Sequence, residues 1–150
     1  MRQKKAGEIL NIIRKENSRR AETIEDARRQ LKTFYRRFHA GSEIAPEPLP
    51  IGHIPAFRIS SPGASENHTV LFFHGGGFMV GSTEDHIDLC RKLSLSADCR
   101  VISVDYRLAP EHTFPAALDD CTASYLRLLE MGSSPALIVP VGISAGGNLL

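Results

Sequence analysis

Apolar positions along the chain fall into two rhythms. The first occupies the N-terminal quarter, where residues 2–18 and 21–39 both read as helices. In the second of these, Ile24, Ala27, Leu31, Phe34 and Phe38 recur at three- and four-residue steps and form one stripe, the spacing of a helix that lies on something apolar. Arg28, Arg29, Lys32, Arg36 and Arg37 mostly fall off that stripe. APEPLP, Ala45 to Pro50, ends the helical rhythm, because proline lacks an N–H and clashes with the preceding turn. The second rhythm consists of short unbroken apolar runs. Ile51 to Ser60 predicts one or two short strands, and SPGASENH, Ser61 to His68, predicts a turn. Val70 to Phe73, Arg100 to Tyr106 and Ala136 to Val141 are runs expected of strands buried on both faces.

Amphipathic segments separate these runs. Ser82 or Thr83 can cap a helix over about 84–97, with Glu84 and Asp85 in its first turn where the dipole favours them. Pro115 opens a second and Gly132 follows its end, with Leu118, Cys121, Tyr125 and Leu128 as its inner face. A third should begin just after Ser144. Strands alternating with helices imply right-handed crossovers and a parallel sheet, an α/β fold whose functional site lies at the carboxyl ends of the strands. Both glycine-rich segments, HGGG at 74–77 and GISAGG at 142–147, fall at such ends.

Composition narrows the class. In 150 residues, 42% are hydrophobic and 23% charged, a globular balance with room for one core. The net charge is +1, but residues 1–40 carry 12 basic and 5 acidic side chains (+7) against 6 and 12 in the remainder (−6). Interspersed acidic residues make an exposed helical face the expected reading of this basic region, ahead of a nucleic-acid or membrane-binding arm. Cys90, Cys99 and Cys121 are odd in number and unpaired in spacing, which fits a reducing, cytoplasmic compartment. The first 17 residues lack the apolar core of a secretory signal. No run approaches the ~20 apolar residues of a membrane span.

The glycine segments carry the candidate chemistry. Gly142-Ile143-Ser144-Ala145-Gly146 has the G-x-S-x-G form of a strained strand-to-helix turn that lifts a serine hydroxyl above the sheet. Gly142 and Gly146 stand where side chains would collide with neighbouring elements, and the Ala145 N–H lies where an oxyanion would form. His74-Gly75-Gly76-Gly77 offers consecutive backbone N–H donors. A phosphate loop is excluded, since Ser82 stands in the lysine position after Gly76 and Gly81. The dinucleotide pattern fails at Val80. His74 is expected to brace backbone rather than act as a base, with His86 and His112 the other nearby histidines. Asp119 and Asp120 are explained by helix-dipole compensation. Asp105 ends a strand, a position open to a catalytic role, but pairing with Arg107 or a local backbone cap is the expected one. No HExxH or Cys/His spacing suggests a metal.

HGGGF at 74–78, DYRLAPEHTFPAALDD at 105–120 and GISAGGN at 142–148 closely resemble the hormone-sensitive-lipase-like branch of the α/β-hydrolases, which includes bacterial carboxylesterases and arylacetamide-deacetylase-like enzymes. The resemblance covers about residues 45–150. It implies a mostly parallel sheet with flanking helices, and a helical cap over 1–44 that covers the acyl pocket. It further implies a cofactor-free Ser-His-Asp esterase of short- to medium-chain acyl esters, with no nucleic-acid partner and no stable membrane insertion. Ser144 matches the nucleophile, Gly75, Gly76 and Ala145 match the oxyanion-hole donors, and His74 matches the bracing histidine, with Gly77, Gly142 and Gly146 in support. Many members have Asp where this sequence has Ile143, and their acid and histidine lie downstream of the serine, in the order Ser, acid, His. Nothing at 1–150 matches those two.

The expectation is therefore the N-terminal portion of an esterase, inactive alone, with an apolar sheet edge left beside the serine strand. A homo-oligomer of the complete protein stays open. One alternative is a non-catalytic small-ligand-binding protein on the same fold, and another is a complete but decayed product.

Overall fold

The computed structural model describes residue 11, residues 21–37 and residues 44–150. The helix expected over 2–18 lies outside the described residues apart from Asn11, as does Phe38. The second helix is present as α1 (Ile24–Arg36), capped by the Thr23 hydroxyl, which accepts the Asp26 N–H. Its apolar stripe is half-buried.

Five strands form one mixed sheet in the order β1-β2-β4-β3-β5: β1 (Glu47–Pro48), β2 (Ala56–Ile59), β3 (Ser65–Phe73), β4 (Cys99–Val104) and β5 (Ile138–Gly142). The central and site-bearing strands β4, β3 and β5 are parallel, while β1 and β2 are antiparallel additions at the far edge. The parallel expectation holds for the part that carries the glycine segments and is corrected at the N-terminal edge. Pro48 sits in the edge strand, where a missing ladder donor is tolerated.

Helix α2 (Thr83–Ala97) follows β3, α3 (Ala116–Glu130) follows β4, and the short α4 (Ala145–Asn148) follows β5. The continuous apolar run of β3 resolves into a period of two. Val70 and Phe72 join Ile59, Ile87, Cys90 and Val101 on the α2 face. Leu71 and Phe73 join Ile102, Val104, Cys121 and Leu128 on the α3 face. With a helix layer on each side, both sets are buried, and this is why the sequence run shows no alternation. The three cysteines are buried free thiols, and burial pushes Cys90 and Cys121 up to about 12.

Four local expectations are corrected. β3 starts at Ser65, so the turn is limited to residues 61–64, closed by the Ala64 N–H on the Ser61 carbonyl. The added residues are polar; Glu66, Asn67 and His68 are exposed while Thr69 is buried, with a register shift between Ser65 and Thr69. β5 starts at Ile138, after a 3₁₀ turn at Pro135–Leu137. Leu118 is 39% exposed rather than an inner-face residue. Asp120 is 2% exposed, and it accepts from the Arg107 backbone N–H at 2.9 Å and from its guanidinium at 2.8–3.0 Å. Burial opposes ionisation of Asp120, but these bonds outweigh it and hold the carboxyl below its usual range.

Asp105 is not paired with Arg107, and the backbone group it caps is not a local one but lies 22 positions earlier in the chain. It accepts the Thr83 N–H at 2.6 Å and the Thr83 hydroxyl at 2.7 Å, which ties the end of β4 to the start of α2. Among the described residues no helix is long and apolar enough to cross a membrane.

Candidate active site

Ser144 occupies the turn between β5 and α4 with φ 51° and ψ −115°. A β-carbon makes that conformation costly, so it persists only where the surroundings impose it. They do so through absent side chains. A Cβ on Gly142 would stand 2.3 Å from the Gly146 backbone, and one on Gly146 would stand 2.1 Å from the Phe73 carbonyl oxygen. Strand, turn and helix thus touch backbone to backbone. The Ile143 N–H donates to the Phe73 carbonyl at 3.2 Å and the Gly146 N–H to the Ile143 carbonyl at 2.8 Å. Ser144 is left exposed while Ala145 and Gly146 beneath it are buried.

The second glycine segment leaves β3 beside this turn. A Cβ on Gly75 would lie 3.5 Å from the Ser144 Cβ and 3.0 Å from the Ile143 carbonyl oxygen. The structure therefore brings HGGG and the serine turn together, as their strand-end positions require. Gly76 (φ 133°), Gly77 (φ 61°), Phe78 (φ 62°) and Gly81 (φ 105°) all have positive φ. The Gly76 carbonyl accepts the N–H groups of Met79 at 3.1 Å and Val80 at 3.0 Å, closing the turn on itself. Among the described residues, no backbone carbonyl takes the N–H of Gly75 or Gly76 in the turn and loop bonds. Ala145 is the first residue of α4, so its N–H has no partner within the helix.

His74 is fully buried beneath the loop. Its Nδ1 lies 2.9 Å from the Gly75 carbonyl, its ring stacks on Tyr106 at 4.2 Å, and the Tyr106 hydroxyl donates to the His74 carbonyl at 2.7 Å. These contacts fix the ring and the carbonyl of His74 under the loop. Gly81 lets it fit, since a Cβ there would come within 2.6 Å of His74 Nδ1. Burial lowers the pKa of both His74 and His86, the second of which is held by the Ser82 carbonyl and Tyr35. His112 is exposed. Among the described residues, no histidine is hydrogen-bonded to the Ser144 hydroxyl, and no group of three or more His, Cys, Asp or Glu side chains is arranged to hold a metal.

An apolar-walled cleft of about 310 Å³ opens beside the turn, between Phe78, the 107–118 segment and Asn148 and Leu149. Sequence reasoning missed two participants. Arg28 reaches from α1 to the carbonyl of Met79 at 2.9 Å and that of Ala109 at 3.2 Å, and Glu111 receives the same guanidinium at 2.7 and 2.8 Å. The only signal in the sequence was that Arg28, Lys32 and Arg36 share one helix face at four-residue steps.

Comparison with known proteins bears on this geometry. A family model described as an alpha/beta hydrolase fold matches residues 70–150. The chain is 41% identical over 107 residues to carboxylic ester hydrolase LipN of Mycobacterium tuberculosis, covering 68% of this chain and 28% of that protein. It is 46% identical over 98 residues to an arylesterase of Saccharolobus solfataricus, covering 62% of this chain and 32% of that one. Among solved structures, it superposes on an esterase from the bacterial hormone-sensitive lipase family with TM-score 0.91 and 36% identity, covering 95% of this chain and 48% of that chain. The chain thus spans about half of that solved structure and about a third of these curated relatives.

Proposed function

Because this chain belongs to the alpha/beta hydrolase fold family, with relatives named as carboxylic ester hydrolases and esterases, we propose that it supplies the nucleophile and oxyanion-binding half of a serine esterase acting on short- to medium-chain acyl esters. The observation that carries the reading is the positive-φ Ser144, exposed at the head of α4 with Gly75 packed against its β-carbon. In this reading the Ser144 oxygen attacks the ester carbonyl carbon and its proton passes to a histidine base. The oxygen that becomes negative is received by the N–H groups of Gly75, Gly76 and Ala145. The alcohol leaves with that proton, and water then releases the acid from the acyl-serine. Donors fixed in place before reaction stabilise the developing charge without reorganising, and one such donor is worth about 3 kcal/mol.

Among the described residues the acid and histidine have no candidate beside Ser144, and we assign them to the remainder of a full-length polypeptide of the relatives' size. The N-terminal region to residue 44 serves as the cap over the acyl group. The three buried free thiols are compatible with the cytoplasm.

The test is labelling of the full-length protein with a serine-reactive phosphonate, beside hydrolysis of short-chain p-nitrophenyl esters. Stoichiometric labelling and turnover, both abolished in Ser144→Ala, are expected. A protein that neither labels nor turns over is a binding protein on this fold, and the esterase reading fails.

A further inference from the structure

The segment from Gly76 to Gly81 has four positive-φ residues out of six, one of them Phe78. The turn closed by the Gly76 carbonyl supplies part of what holds this shape, and contacts from outside the segment must supply the rest. Beside the Tyr106 brace under His74, two sets of contacts lead from the loop to α1. Tyr35 packs its ring 4.9 Å from His86, whose ring lies 5.9 Å from that of His74 under the loop. On the outer side, the Phe78 carbonyl accepts the Ala109 N–H at 2.8 Å. One guanidinium, that of Arg28, donates to both carbonyls flanking this bond, Met79 and Ala109. Glu111 takes the remaining edge of the same group through both its oxygens. A planar group with donors in fixed directions can satisfy two carbonyls and a carboxylate at once, whereas a lysine ammonium cannot reproduce that arrangement.

We propose that Arg28 is a positioning residue, through which helix α1 holds the glycine loop in place beside Ser144. The inference rests on the oxyanion role assigned to Gly75 and Gly76, and it gives the N-terminal helix a part in the chemical step as well as in covering the substrate. The other basic residues of the same face do different work. Lys32 at 2.7 Å and Arg36 at 3.0 Å both pair with Glu84 at the start of α2, so they fasten the helix without touching the loop.

The experiment compares Arg28→Gln, Arg28→Lys and the double variant Lys32→Met/Arg36→Met in the full-length protein. Three quantities are read: kcat and KM on a short-chain p-nitrophenyl ester, and amide exchange at Val80 and Ala109. Arg28→Gln is expected to lower kcat about 10- to 100-fold with KM within about twofold, and to speed exchange at both amides. Arg28→Lys should recover little of the loss. The double variant should leave exchange at Val80 and Ala109 unchanged. Unaltered exchange in Arg28→Gln, or an equal kcat loss in the double variant, overturns the proposal. If Ser144 proves not to be a nucleophile, the esterase reading falls, while exchange still decides whether Arg28 holds the loop.

Discussion

Gly76 and Gly77 are neighbours with opposite tolerances. A Cβ on Gly76 would lie 1.8 Å from the Val80 carbonyl oxygen, inside the turn it closes, while one on Gly77 would meet nothing within 4 Å. Gly77→Ala therefore costs only the left-handed backbone penalty, about 1–2 kcal/mol, which Phe78 next to it already bears at φ 62°. Gly76→Ala must open the turn. In the full-length protein, the expected outcome is a lowered melting temperature but retained hydrolysis for Gly77→Ala, and loss of about 100-fold or more in kcat for Gly76→Ala with the fold intact by circular dichroism. Equal activities would show that the turn relaxes freely. Asp120→Ala tests another single residue. It leaves the Arg107 backbone N–H without its acceptor, and a stability loss of about 1–3 kcal/mol in denaturant titration is expected.

Between elements, the rings of Tyr35, His86, His74 and Tyr106 form a column from α1 through α2 to the strand ends. Burial holds both histidines neutral. The backbone carbonyls that hold the two rings and the Asp85 and Asp105 carboxylates only partly oppose the burial, and His86 adds to the lowering at His74. Below the ordinary histidine pKa of about 6.5 the unfolded chain binds protons that the folded chain refuses, so stability is full above that pH and falls as pH drops. The denaturant midpoint should decline between about pH 7 and pH 5, with up to about two protons taken up on unfolding. His86→Gln should remove part of that slope, and a flat profile in the native sequence would contradict the assignment.

The same scale shows what the sequence could and could not disclose. Val70–Phe73 and its sister runs were legible because two helix layers demand apolar side chains on both faces. HGGG and GISAGG were legible because loop chemistry and strand ends coincide. Residues 65–68 and β1 were not, since largely exposed polar segments leave no hydrophobic trace, whether held by the β1–β2 ladder or by ion pairs such as Arg58 with Glu66. Asp120 read as a dipole-compensating residue because its partner, Arg107, lies 13 positions earlier. Arg28 read as part of a solvated face because Glu111 lies 83 positions later; sequence periodicity reports which residues share a face, not what the fold brings against it.

For the molecule as a whole, β5 pairs with β3 alone among the described strands, with Val139 57% exposed on it. Phe114, 86% exposed, adds apolar surface at the cleft. Such an edge invites pairing with another chain. A polypeptide of residues 1–150 alone is expected to self-associate with rising concentration in light scattering, and a full-length polypeptide of the relatives' size to stay monodisperse. A monodisperse, cooperatively unfolding 150-residue chain would refute this. The one-sided pairing of β5 also bears on stiffness. Among the described strands, Ser144 hangs from the end of one that is stitched on a single side, so its rigidity is borrowed from β3. Slackening that one seam should blur the serine's position well before the sheet itself gives way.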